Sequence, residues 1–212
     1  VTSQSNRRSL GRRPVVAAGT AVAAAVALAV VSCSASGPLA DAVGTAPQRT
    51  IAPVPGSWDD VEPDAGYSAV LIAAESDPTA EVLIGAAAEW AASRGLRLEV
   101  LGIPDDGGLD AALAEAAEVR PDVVIGAGID VVEEFAQATA EHPDQQYLVL
   151  GAQLPDPTGN LTAVVWDGAD SDGRDGGEPS TAAVTPIRAE DAAAAGIAAV
   201  IDGNTGVVVS ID

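Results

Sequence analysis

Lysine and methionine are absent from this sequence, cysteine and histidine occur once each, and aromatic residues make up only 3 %. One histidine, His142, and one cysteine, Cys33, cannot build a Cys/His zinc site or a Cys–His catalytic pair. A lone cysteine also excludes an internal disulfide. Without lysine, all ten basic charges are arginines, and four of them (Arg7, Arg8, Arg12, Arg13) precede residue 14. All 31 acidic residues lie beyond Cys33. With residues 1–32 set aside, six arginines face 31 carboxylates, and the remainder carries a net charge of −25. A surface this acidic repels phosphate backbones and offers no basic stripe, which excludes a nucleic-acid partner. It favours solubility instead.

What the first 33 residues do contain is a basic stretch, "NRRSLGRR", an uncharged run from Pro14 to Ser32, and small residues around Cys33. That is the layout of a secretory signal. The run is about long enough to span a bilayer, where roughly 20 residues are needed, so a membrane anchor is the alternative. Gly19, Thr20 and many alanines weaken that reading, and no positive flank follows. "VVSC" (Val30 to Cys33) resembles the lipobox of bacterial lipoproteins. The resemblance implies that Cys33 is lipidated and holds the protein on the extracytoplasmic face of the membrane. Residues 1–32 are thus expected to be a signal peptide. Residues 33–63, rich in Pro, Gly, Ser and Ala without apolar periodicity, are expected to be a disordered tether, on which Trp58 is the one residue suited to docking.

From Tyr67 onward the pattern alternates. "YSAVLIAAE" is a continuous apolar run, as for a strand buried on both faces of a parallel sheet. Asp77 can cap a following helix with Pro78 at its first position, and Leu83, Ala86, Ala87 and Trp90 recur at helical spacing up to a stop at Gly95. "LRLEVLGI", "DVVIGAG", "QYLVLG" and "LTAVVW" read as further strands. "LDAALAEAAEV" reads as a helix, and so does a segment opened by an Asp130–Glu133 capping box and carrying Val131, Phe135 and Ala138 on one face. Strands separated by helices of this length imply right-handed crossovers. The expected fold is an open α/β domain, a doubly wound and mostly parallel sheet with helices on both faces. The lobe is expected over 64–167, followed by an acidic, glycine-rich loop over 168–186. A helix and strand over 187–212 would complete the lobe or begin a second one.

Candidate chemistry is sparse. "GAGID" lacks the third glycine of a dinucleotide fingerprint and follows the wrong strand, so a tight turn is the better reading. Asp170, Asp172 and Asp175 lack the spacing and terminal Glu of a calcium loop. "GxSxG" does not occur. No metal, no cofactor and no enzymatic activity is expected.

The order of four segments, "VLIGAAAEWAASRGLRLEVL", "RPDVVIGAGID", "EHPDQQYLVLG" and "GNLTAVVWD", resembles the amino-terminal lobe of the basic membrane protein family. These are receptors of ABC importers with a type I periplasmic-binding-protein fold, Rossmann-like in each lobe, and they commonly bind purine nucleosides. The resemblance covers Tyr67 to Trp166 and resumes weakly at Ala189 to Ile211. It implies a solute, nucleoside-type, bound beyond the strand ends by Glu75, Asp77, Thr79, Gly128 and Asp130. In the family the loop after the first strand reads Asp-x-Ser-Phe-Asn, which places Pro78 where the stacking aromatic stands. Gly151 replaces a usual Asp. Losing a stacked ring costs a base site roughly 1–3 kcal/mol. The resemblance also implies a single lobe, where the family encloses its solute between two. A protein partner in the cell envelope, meeting the lobe's open face, is the alternative to a solute.

Overall fold

The computed structural model describes residues 49–104, 108–154, 158–169 and 184–211. The expected leader, Cys33 and most of the acidic loop lie outside the described residues. Seven strands form one sheet in the order β1-β7-β6-β5-β4-β2-β3, with every pairing parallel. The expected doubly wound α/β architecture is therefore the observed one. β2 (Ser68–Ala74) lies between the edge strand β3 (Arg97–Ile103) and β4 (Val123–Ala127), followed across the sheet by β5 (Gln146–Leu150), β6 (Leu161–Val165), β7 (Val207–Ser210) and the other edge strand β1 (Arg49–Ile51).

Alternation along each strand divides the core in two. Leu71, Ile125, Leu148, Val164 and Val209 point to one face, where they meet α1 (Pro78–Arg94) and α4 (Pro186–Ile201). Val70, Ile72, Val124 and Val149 point to the other, under α2 (Leu109–Val119) and α3 (Val132–Glu141). Burial on both faces is why these strands read as unbroken apolar runs rather than as alternating ones. Edge strand β3 differs, exposing Arg97, Glu99 and Val100.

The helices begin and end as their residues dictate. Asp77 accepts a hydrogen bond from the Thr79 N–H at 2.8 Å, Pro78 takes the first helical position, and Gly95 closes α1 at φ 70°. Thr185 caps α4 with its hydroxyl, accepting from the Arg188 N–H. Alanines dominate the faces of α1 and α4 that pack together, and Gly196 brings α4 directly onto the sheet. A Cβ at Gly196 would stand 2.6 Å from Val164 Cγ2 and 3.0 Å from Leu148 Cδ1.

One expectation is corrected here. The tether expected through residue 63 ends earlier. Arg49–Ile51 pairs in parallel with Val207–Val209, and Trp58 is buried to 7 % exposure among the α1/α4 core residues. Arg94 fastens the same segment by donating to the Val61 carbonyl while lying 3.8 Å from Glu62. Ile51, Trp58 and Val61 are too few and too irregularly spaced to show periodicity, yet each has a distant apolar partner. The segment 187–212, for which two roles were open, supplies α4 and β7 to this same sheet. Among the described residues, no helix is long and apolar enough to cross a membrane.

Candidate functional site

Neighbouring strands β2 and β4 send their chains to opposite faces: β2 leads into α1, and β4 into α3. A crevice opens where such connections part, beyond the carboxyl ends of the strands. Its two walls are the turn 75–79 and the turn 128–131.

On the first wall, Asp77 is half-buried and uses one oxygen, Oδ1, as the α1 cap. The other oxygen, Oδ2, is turned across the crevice. A Cβ on Gly128 would lie 3.0 Å from it. Gly128 is buried at φ 88° and its N–H donates to the Leu150 carbonyl at 2.9 Å, so the second wall at this point is bare backbone. Asp77 and Gly128, named separately from the sequence, are thus brought together. Thr79 joins them through its N–H on Asp77.

Glu75 and Asp130 are not part of this cluster. The Glu75 N–H donates to the Ile103 carbonyl, and its side chain lies back over β3: a Cβ on Gly102 would stand 2.6 Å from Glu75 Oε1. It therefore faces away from β4. Asp130 is exposed and does not cap α3, contrary to the expected capping box. Val131 holds the cap position at φ −95°, ψ −7°, without a side-chain cap bond. Its side chain is fully buried, reaching within 2.7 Å of where a Cβ on Gly126 would be. Burying Val131 in this way starts the helix one residue late and leaves Asp130 in solvent.

Trp166, expected to close the strand "LTAVVW", shapes the edge next to the crevice. It follows β6, is buried, and its ring lies 3.0 Å from where a Cβ on Gly151 would be. Gly151, at φ 85°, therefore stands where the resembled family has an Asp because an indole occupies the space beside it. The signal was present as an aromatic closing "LTAVVW" and a glycine closing "QYLVLG". Their contact, however, depends on strand pairing. Among the described residues at this edge, Ile187 in the first turn of α4 is the large apolar side chain most exposed, and Ile129 and Val184 are partly buried.

The arrangement can accept hydrogen bonds from a solute at Asp77 Oδ2, which itself packs against the buried Gly128. No grouping of three His, Cys, Asp or Glu side chains suited to a metal occurs among the described residues.

No protein-family model matches the chain, and no curated protein does. Solved structures similar to it include a putative lipoprotein from Peptoclostridium difficile 630, solved as a fragment, at 13 % identity and a TM-score of 0.47, with 65 % of this chain and 97 % of that one covered. A solute-binding protein of an ABC transporter system from Aeropyrum pernix K1 is similar at 15 % identity and a TM-score of 0.40 over 48 % of this chain and 29 % of that one. A periplasmic ribose ABC transporter protein from Conexibacter woesei is similar at 18 % identity and 0.41, over 69 % and 54 %. The chain spans between 29 and 54 % of the length of these two transporter proteins.

Proposed function

We propose that the chain is a solute-binding lobe of an extracytoplasmic lipoprotein, held to the membrane through Cys33 and serving an ABC importer. The solute it takes is polyhydroxylated, of the nucleoside type. The observation that carries this reading is the unused oxygen of Asp77, aimed across a topological switch point at a glycine. A carboxylate oxygen with no hydrogen-bond donor among the described residues is suited to a pair of sugar hydroxyls, and a charge-assisted bond of this kind is roughly twice as strong as a neutral one. The order of strand and helix motifs that resembles the basic membrane protein family supports the same reading. Among the described residues around the crevice Ile187 is the one exposed large apolar side chain, which supports a solute over an envelope protein, because docking surfaces are marked by apolar patches of several hundred Å².

The test is thermal unfolding of the full chain with nucleosides, free sugars and free bases. A solute at 100 times its dissociation constant stabilises by about 2.7 kcal/mol. Asp77→Asn keeps a good helix cap, since Asn caps as well as Asp. It should abolish the shift for a nucleoside while leaving the unliganded transition within about 0.5 kcal/mol. A transition indifferent to every solute would remove the solute-binding reading.

A further inference from the structure

On the face of the sheet opposite α1 and α4, helices α2 and α3 part to leave a groove of about 270 Å³. Its α2 wall is apolar, made by Leu113, Ala114 and Ala117, and its α3 wall sets Ala138 beside Gln137. Both ends carry carboxylates, and His142 lies beside the one at Glu141. Both helices run antiparallel to the strands, which places Asp110 and Glu134, in their first turns, together at the carboxyl end of the sheet. Glu141 ends α3 at the opposite extremity, beside the start of β5. Seven residues separate Glu134 from Glu141, about 10 Å along the axis at 1.5 Å per residue.

At the Glu141 end the groove is floored by Tyr147. This residue is only 4 % exposed, with its ring edge-on to Phe135 at 5.7 Å, yet its hydroxyl makes no hydrogen bond to any described residue. Burial first, and the Glu141 carboxylate second, raise the pKa of that phenol above its ordinary value. Glu141 itself is steadied by Gln137, whose Nε2 donates to Oε1 at 2.9 Å.

We propose that this groove binds a linear aliphatic polyamine. The methylene spine lies along the alanine and leucine walls. One terminal ammonium donates to Tyr147 Oη and Glu141, and the other to Asp110 and Glu134. A divalent metal ion cannot reach both ends, and a short diamine satisfies only one. The site is independent of the switch-point crevice, which lies between β2 and β4.

The experiment is titration calorimetry on the full chain at fixed ionic strength, with spermidine, diaminooctane, diaminopropane and magnesium chloride. Spermidine and diaminooctane should saturate a single site, and diaminopropane and magnesium should bind at least about tenfold more weakly. The double substitution Glu134→Gln/Glu141→Gln should weaken spermidine about tenfold. Glu115→Gln/Glu118→Gln on the exposed side of α2 makes the same charge change away from the groove. It should have less than about a twofold effect. Equal weakening by the two pairs, equal binding of the long and short diamines, or no saturation would each overturn the proposal, because each is the mark of diffuse counterion attraction.

Discussion

The side-chain amide of Asn160 donates to the backbone carbonyl of His142 at 3.0 Å, and the same nitrogen lies 3.1 Å from the Thr139 carbonyl and 2.9 Å from that of Gln145. Asn160 is buried at 6 % exposure just before β6, and its three acceptors are the end of α3 and the loop into β5. One amide thus satisfies carbonyls that a helix end leaves without intrahelical partners. Asn160→Ala should cost about 2 kcal/mol in denaturant unfolding, the upper range for leaving buried polar groups unpaired. Asn160→Asp should cost more, because it sets a carboxylate against three carbonyl oxygens. A loss below about 0.5 kcal/mol for the alanine variant would show that water replaces the amide.

The same Gly→Ala change should act with opposite sign on two helices. Gly85 on α1 is exposed, and a Cβ there meets nothing within 4 Å. Gly85→Ala should therefore stabilise by about 0.5–1 kcal/mol through helix propensity alone. Gly196→Ala gains the same propensity but drives a methyl to 2.6 Å from Val164 Cγ2. It should destabilise by about 1–3 kcal/mol, as overpacked cores do. Thermal midpoints of the two variants, measured side by side, check both signs.

Alkaline stability should follow the tyrosines, of which there are two. Burial, and then the nearby Asp122 carboxylate, push Tyr67 from the ordinary 10.0 up to about 12. Tyr147 is raised as well. Between those two values the folded chain retains a proton that the unfolded chain has lost. Stability is then full below pH 10 and falls as pH rises towards about 12. Tyr67→Phe should flatten that decline, and the phenolate absorbance of the folded protein should rise only well above pH 10. A decline unchanged in Tyr67→Phe would assign it to other groups.

Trp58 tests whether the segment before β2 belongs to the domain. Replacing a buried tryptophan with alanine costs about 3–5 kcal/mol. Trp58→Ala should approach that loss in chemical denaturation. If residues 49–63 were a tether, the substitution would shift the midpoint by less than about 0.5 kcal/mol, as at a typical surface position.

Where each element's own residues set its outcome, the sequence was readable. Asp77, Pro78 and Gly95 bracket α1 as expected, and the runs around Leu71, Ile125, Leu148 and Val164 become buried parallel strands. The motif "EHPDQQYLVLG…NLTAVVW" was legible as a pattern, and its Asn160 turns out to be a structural clamp. What local pattern could not show are contacts set by tertiary packing. Ile51 and Trp58 find partners on β7 and α4, Val131 displaces Asp130 from its cap, and Trp166 closes over Gly151. In the crevice, Asp77 and Gly128 meet because β2 and β4 are adjacent. Glu75 turns the other way because Gly102 on β3 leaves it room.

Strand β1 pairs with β7 in parallel, so Arg49 enters the sheet at the edge opposite the Asp77–Gly128 crevice. A pull on the chain at Arg49 would act along the strand axis. Such a load falls on the β1–β7 hydrogen bonds together, in shear, rather than peeling them one at a time. Arg49 and the Asp77–Gly128 crevice therefore lie at opposite ends of the same sheet, and a load applied at the one does not act directly on the other.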